Sequence, residues 1–90
     1  MQGIEREIVL PCYLHGRAAN YVVSEVNTLK SKFLAIKNGR SFKMNSLLEL
    51  LSLGGVCGET IKVVCMNDDK KYAEKDFVKV ERILEEARGM

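Results

Sequence analysis

The sequence predicts an α+β fold, an open-faced β-sandwich in which three helices cover one face of a four-stranded antiparallel sheet. Apolar residues recur at helical spacing over 16–29 and 70–88, which indicates two amphipathic helices. Alternating apolar residues flank Asn38-Gly39, a dipeptide typical of a two-residue hairpin turn. With 90 residues, the chain is expected to form one domain over 1–90, in the order β-α-β-β-α-β-α.

The composition excludes several classes of protein. Hydrophobic residues make up 47% and charged residues 29% of the chain, a globular balance that argues against disorder. The formal net charge of +2 is too small and too evenly spread to suggest nucleic-acid binding. Apolar runs are far shorter than the ~20 residues of a membrane span, and residues 1–7 lack the features of a signal peptide. We therefore expect a monomeric cytoplasmic protein that does not insert into membranes.

Three cysteines, Cys12, Cys57 and Cys65, are an odd number without an export signal, so we expect free thiols rather than a disulfide framework. Cys12 and His15 have a spacing that metal sites use, but no second Cys/His pair accompanies them. No metal site and no cofactor is predicted.

The first strand is predicted over 4–10, with Ile4, Ile8 and Leu10 on one face, and Pro11 ends it. The helix over 16–29 follows. Its apolar residues at helical spacing are Ala19, Val22, Val23, Val26 and Leu29.

The hairpin joins strands 32–37 and 40–44 through a type I′ turn. This turn pairs Lys37 with Arg40, Ala35 with Phe42, and Phe33 with Met44. The four apolar residues of these pairs then share the predicted core face. Leu34 and Ile36 fall on the other face, which is a weakness in the pattern.

Ser46 and Glu49 form a capping-box signature, in which Ser46 caps a short helix and Glu49 reaches back to it. Gly54-Gly55 stops this helix after Leu53. A strand is predicted over 60–66, with Ile61, Val63 and Cys65 on one side. A turn over 67–69 then leads into the last helix, whose apolar residues are Ala73, Phe77, Val80, Leu84 and Ala87.

The residues that suggest chemistry lie where the first loop meets the first helix. His15, the single histidine, is followed by Gly16 and Arg17. The first N–H groups of a helix lack partners and attract negative charge, so a phosphoryl group on this imidazole would meet the backbone donors of Gly16 and Arg17. The Arg17 guanidinium also matches phosphate oxygens. The residues alone equally allow an exposed or capping histidine without a function.

Two motifs resemble those of the HPr family, the histidine-containing phosphocarriers of the bacterial phosphotransferase system. The family's Gly-Leu-His-x-Arg-Pro-Ala stretch, which opens its first helix, is similar to Tyr-Leu-His-Gly-Arg-Ala-Ala at 13–19. Its serine followed by apolar residues and Ser-Leu-Gly is similar to residues 46–54. The hairpin and the last helix also fall in the family's places, so the resemblance spans essentially the whole chain.

The resemblance implies a phosphocarrier rather than a stand-alone catalyst. His15 would accept a phosphoryl group on Nδ1 from enzyme I, itself charged by phosphoenolpyruvate, and pass it to IIA domains of sugar permeases. Arg17 would contact the phosphate. Ser46 matches the serine that HPr kinase phosphorylates in many Gram-positive lineages, although a helix cap needs no kinase. The alternative function is an HPr-like regulatory module that binds partners through Ser46 and a leucine patch, without a role in sugar transport.

Five leucines lie within 47–53, and one side of a two-turn helix cannot bury them all. Leu50 and Leu53 are the core candidates, since the family packs those positions inward. Leu47, Leu48 and Leu51 are then predicted to form an exposed apolar patch, which the resemblance makes a partner-binding surface. The alternative is a helix set deeper in the core.

Several residues depart from the family's pattern. Tyr13 replaces a glycine and is expected to crowd or shield the loop, and Ala18 replaces a proline and is expected to loosen the first helical turn. Ser24, Asn27 and Glu49 stand where the family usually carries lysines, which is expected to slow association with acidic partners.

Overall fold

The computed structural model describes residues 4–90. Residues 1–3, which belong to the predicted domain and to the segment 1–7, lie outside the described residues. Seven elements follow in the predicted order, which confirms the fold class. They are β1 (Ile4–Val9), α1 (Gly16–Val26), β2 (Phe33–Lys37), β3 (Arg40–Lys43), α2 (Leu47–Leu53), β4 (Thr60–Cys65) and α3 (Lys70–Glu86).

The sheet is antiparallel throughout, with the strand order β1-β4-β2-β3. Strand β4 therefore lies inside the sheet and joins the first strand of the chain to the hairpin. Its side chains alternate as predicted, because Ile61, Val63 and Cys65 are buried while their neighbours are more exposed. The sheet thus has one buried face and one open face.

The hairpin has the predicted turn and register. Asn38 and Gly39 have φ angles of +53° and +76°, the left-handed pair that a type I′ turn requires. Lys37 pairs with Arg40 and Ala35 with Phe42, and the Met44 N–H donates to the Phe33 carbonyl over 3.1 Å. Leu34 and Ile36 are half-buried on the open face, where Leu34 lies opposite Val64 of β4. A small apolar strip on the open face therefore accounts for the mismatch in the hairpin pattern.

The core fills the space between the buried face of the sheet and the helices. Phe33 of β2 meets Phe77 of α3 edge-on, with ring centroids 5.2 Å apart. Helix α3 buries the predicted apolar residues and, in addition, Ile83 and the charged Asp76. One Asp76 carboxylate oxygen accepts a hydrogen bond from the Ser31 N–H over 3.0 Å, so the buried charge is not left unpaired.

Helix α1 ends at Val26, about one turn before the predicted end at residue 29. The cause is local, because the Thr28 and Leu29 N–H groups bond to carbonyls three residues back, at Glu25 and Val26. These shorter-range bonds tighten the chain out of the α-helical path. Leu29 still packs against the core, but from the loop that follows the helix.

The capping box at α2 is only half formed. The Ser46 hydroxyl accepts from the Glu49 N–H over 3.4 Å, as predicted. The Glu49 carboxylate does not reach back to the Ser46 N–H; it accepts from the Lys43 N–H over 3.0 Å instead. The reason is that the Ser46 N–H already donates to the Lys43 carbonyl. Glu49 therefore ties α2 to the end of β3.

One ion pair joins the hairpin to the chain before β4. Lys37 Nζ lies 2.9 Å from Glu59 Oε2, and both side chains are about three-quarters buried. The other oxygen of Glu59 accepts from the Val56 N–H over 3.1 Å. Lys37 Nζ also donates to the Leu53 carbonyl at the end of α2. This cluster fixes the segment between α2 and β4.

Protonating Glu59 is expected to weaken the fold. The hydrogen bond from Lys37, followed by that from Val56, holds the pKa of Glu59 below its usual range. A carboxyl with a lowered folded-state pKa stabilises the fold above the unfolded value, about 4.3 for Glu, and this contribution disappears as pH falls through the folded value. Glu59→Gln should therefore lower the free energy of unfolding at pH 7 and flatten its decline below about pH 5.

Denaturant melts of Glu59→Gln at a series of pH values measure this effect. Glu81→Gln is the matched control, because Glu81 is exposed and forms no ion pair within residues 4–90. Equal pH slopes in Glu59→Gln and the wild type would contradict the role given to this pair.

Ser46→Ala is expected to cost about 0.5–1 kcal/mol of stability, the lower part of the range for a lost N-cap, because the cap bond is long at 3.4 Å. Ser46→Asp keeps an acceptor and adds a negative charge near the helix N-terminus, so it should be at least as stable as the wild type. Urea melts compare the three proteins. Finding Ser46→Asp to be less stable than Ser46→Ala would show that Ser46 does not cap α2.

Candidate functional site

The loop that carries His15 is held against the segment before β4 by backbone hydrogen bonds. The Leu10 N–H donates to the Glu59 carbonyl over 2.8 Å, and the Leu14 N–H donates to the Gly55 carbonyl over 2.9 Å. The Gly58 N–H returns a bond to the Leu10 carbonyl over 2.8 Å. The chain from 10 to 14 therefore continues the pairing of β1 with β4 beyond the sheet, and His15 follows directly from this fixed segment.

Gly55 makes this close approach possible. A Cβ atom at Gly55 would lie 2.7 Å from a methyl of Leu10 and 2.8 Å from a methyl of Leu14, shorter than any ordinary contact. Leu10 and Leu14 are each 1% exposed, so a Cβ at Gly55 would have to displace side chains inside the core. Gly55, the second glycine after α2, thus has a role of its own, because it lets the His15 loop pack closely against the segment before β4.

His15 occupies the N-cap position of α1 by its extended backbone, with φ −149° and ψ 164°, yet its side chain makes no capping hydrogen bond. The ring is exposed. The structure therefore does not support the alternative in which the imidazole serves as a helix cap. The exposed imidazole is therefore open to a partner from solvent.

The start of α1 presents free backbone donors next to this ring. The first bond from the helix to its cap is from the Ala19 N–H to the His15 carbonyl, over 3.4 Å, so the N–H groups of Gly16, Arg17 and Ala18 have no backbone acceptor within residues 4–90. No acidic side chain lies in this first turn. The helix dipole at this end is therefore unneutralised and favours an anion.

Gly16 has a φ of +54°, in the left-handed region, so a side chain there would be strained although there is space for one. Ala18 is buried, and it keeps the amide N–H that a proline at this position would lack. This replacement therefore adds a third unpaired donor to the helix start.

Arg17 and Tyr13 lie on the two sides of His15 in sequence, and both are exposed. Arg17 forms no ion pair or side-chain hydrogen bond with the described residues, so its guanidinium is available to an anion. The Tyr13 ring is 5.9 Å from the His15 ring, at an angle of 47°. Tyr13 therefore crowds one side of the imidazole without covering it.

A cleft of about 370 Å³ opens beside His15. It is lined by Cys12 and Tyr13 from the loop, Cys57 from the segment before β4, and Arg88 from the chain after α3. Sequence reasoning missed the contributions of Cys57 and Arg88, because no local pattern relates them to His15. Cys12 and Cys57 are both free thiols, and burial, followed by the proximity of Cys57 and Glu85, raises the pKa of the Cys12 thiol.

The leucines of α2 divide as predicted. Leu50 and Leu53 are buried, whereas Leu48 is 76% exposed and Leu47 and Leu51 are 36% and 42% exposed. The helix therefore does not lie deeper in the core, and these three residues form an exposed leucine patch. Because α2 packs against α1, the patch lies on the helix adjacent to the one that His15 begins.

No group of three or more His, Cys, Asp or Glu side chains between residues 4 and 90 is placed to hold a metal ion. Of the helices in that range, none combines the length and apolar character needed to cross a membrane.

Comparison with known proteins gives consistent matches. A family model described as "PTS HPr component phosphorylation site" matches residues 4–82. The chain is 34% identical over 73 residues to the phosphocarrier protein HPr of Buchnera aphidicola subsp. Baizongia pistaciae (strain Bp), a match that covers 81% of this chain and 86% of that protein.

Two solved structures show the same fold. One is HPr-C-His from Thermoanaerobacter tengcongensis, with a TM-score of 0.69, 24% identity and coverage of 96% of this chain and 97% of that one. The other is phosphocarrier protein HPr from Bacillus anthracis str. Ames, with a TM-score of 0.70, 20% identity and coverage of 87% and 95%. The family model and the Buchnera relative show that the chain belongs to the HPr family, the phosphocarriers of the phosphotransferase system.

Proposed function

We propose that His15 accepts a phosphoryl group from phosphorylated enzyme I and passes it to the IIA domains of sugar permeases, in the cytoplasm. The observation that carries this proposal is the exposed imidazole at an uncapped helix start, followed by the exposed residues Gly16 and Arg17, whose N–H groups have no backbone acceptor within residues 4–90. Membership of the HPr family supports the same role.

The transfer forms one bond to phosphorus while another breaks. A nitrogen of the His15 ring attacks the phosphorus of the donor, the bond between phosphorus and the donor group breaks, and the imidazole proton leaves with that group. The chain's contribution is to position the ring and to stabilise negative charge on the phosphoryl oxygens. We assign this contribution to the donors at the start of α1 and to the Arg17 guanidinium, and passing the group to a IIA domain reverses the same steps.

The first test is phosphorylation by enzyme I and phosphoenolpyruvate. The intact mass should increase by one phosphate that is labile in acid and stable in base, and His15→Ala should abolish the increase. Arg17→Ala should fold normally but exchange phosphate about 10- to 100-fold more slowly, because a donor aimed at the phosphoryl group is lost. An unchanged mass with active enzyme I would refute the carrier function, and equal rates would remove Arg17 from the mechanism.

The leucine patch is proposed to dock enzyme I and the IIA domains. Leu48 lies at the middle of the patch in sequence and is its most exposed member. Exposed apolar surface of this kind is typical of an interface whose centre excludes water. Glu49 lies in the same helical turn, at a position where the family usually carries a lysine. The surface is therefore less positively charged, and less attractive to an acidic partner, than it would be with a lysine at this position.

Leu48→Ala is expected to weaken binding of enzyme I at least about fivefold, the effect of losing a central apolar contact, while leaving stability unchanged. Val78→Ala is the matched control, since Val78 is an exposed apolar residue on α3. NMR titration measures both affinities. If Leu48→Ala folds and binds as tightly as the control, the docking surface lies elsewhere on the protein.

Ser46 is proposed as a second phosphorylation site, modified by an HPr kinase. Its hydroxyl oxygen accepts a hydrogen bond from the Glu49 N–H. A phosphate on this oxygen would therefore lie at the N-terminus of α2 and would carry a charge of about −1.5 to −2. The helix dipole favours this charge, whereas the nearby Glu49 carboxylate and any acidic partner oppose it. Modification would thus hinder docking at the adjacent leucine patch, and Ser46→Asp in the same titration tests this effect.

A further inference from the structure

The chain continues past the stretch that matches the family, which ends at residue 82. Helix α3 runs on to Glu86, and Ala87 after it is fully buried. The Arg88 N–H bonds to the Glu85 carbonyl and the Met90 N–H to the Ala87 carbonyl, each over 3.1 Å, around Gly89 with φ +88°. The backbone of Arg88 is therefore held in a turn anchored in the core.

This turn brings Arg88 into the cleft that His15 lines. The His15 loop and Cys57 also line the cleft, so the turn after α3 contributes a positively charged residue from a separate part of the fold. Arg17, by contrast, follows His15 on α1. Arg88 therefore lines the cleft beside His15, whereas Arg17 does not line it.

The Arg88 side chain is held only weakly, by its ion pair with Glu85. Its Nη1 donates to Glu85 Oε1 over 3.1 Å, and the two side chains are 70% and 58% exposed. Exposed pairs of this kind contribute little and exchange readily, because water solvates both charges. Arg88 can therefore leave Glu85 with little loss of stability.

We propose that Arg88 is a second phosphoryl-binding arginine, which leaves Glu85 for the phosphoryl oxygens when His15 is phosphorylated. This inference rests on the proposed function of His15. A phosphoryl group carries up to two negative charges and three acceptor oxygens, whereas Glu85 offers one charge. The planar guanidinium binds such oxygens in a bidentate manner, so the exchange is favourable.

The experiment uses phosphoramidate as a chemical donor, which makes it independent of enzyme I. A ring nitrogen of His15 forms a bond to phosphorus, the P–N bond of phosphoramidate breaks, and ammonia leaves with the imidazole proton as ammonium. Mass spectrometry follows the second-order rate and ³¹P NMR identifies the product. The full chain is used, with Arg88→Gln, Arg88→Lys, Glu85→Gln and the control Arg82→Gln, which removes the same charge from a part of α3 that does not line the cleft.

Arg88→Gln is expected to slow phosphorylation about three- to tenfold at low salt, less than the loss of a buried oxyanion donor because Arg88 is exposed. Arg88→Lys should recover part of the rate, and Glu85→Gln should raise it by releasing Arg88. In 1 M salt, where charges are screened beyond about 3 Å, the differences should shrink. Arg82→Gln should match the wild type throughout.

Equal rates for Arg88→Gln and Arg82→Gln at low salt would overturn the proposal, as would a slower reaction in Glu85→Gln. Thermal melts of each variant identify any decrease in phosphorylation rate that is caused by unfolding. If the wild type reacts with phosphoramidate in an Arg88-dependent way but never with enzyme I, the carrier function fails while the role of Arg88 in binding the phosphoryl group stands.

Discussion

The backbone pairing between residues 10–14 and 55–59 is the contact on which the candidate site depends. It places the His15 loop, and Gly55 fits within it because a side chain there would meet Leu10 and Leu14. The same segment before β4 is fixed from its other side by the Lys37–Glu59 pair. The position of His15 therefore depends on the hairpin, on the end of α2 and on β4 together, although none of them carries the reactive group.

The three helices begin in different ways, and the difference fits the proposed role of His15. Helix α2 is capped by Ser46 and α3 by Asp69, whose carboxylate accepts the Lys71 N–H over 2.9 Å. Helix α1 has no side-chain cap and no acid in its first turn. A cap contributes about 1 kcal/mol, so α1 gives up that stability and keeps its donors free for an anion.

The structural features that could be predicted depend on residues that lie close to one another in the sequence. The hairpin follows from Asn38-Gly39, and the exposed face of α2 follows from too many leucines in two turns. The features that were missed join distant residues: Asp76 with Ser31, Glu49 with Lys43 rather than Ser46, and Arg88 with the His15 cleft. Their contacts depend on how helices and loops pack, which a pattern of apolar spacing does not encode. The resemblance located His15 and Arg17, but its motif ends well before Arg88.

The pairing of β1 with β4 also has a consequence for how the chain is made. Val9 finds its partner in Thr60, some 50 residues later. During synthesis the first strand must therefore wait roughly 3–10 s for its partner at the usual 5–20 residues/s. Throughout that interval the His15 loop has nothing to pair with, and the nascent chain exposes an unpaired strand edge to other proteins on the ribosome. The charged residues Glu5, Arg6 and Glu7 in that strand discourage such pairing, so the nascent strand is protected before the folded protein exists.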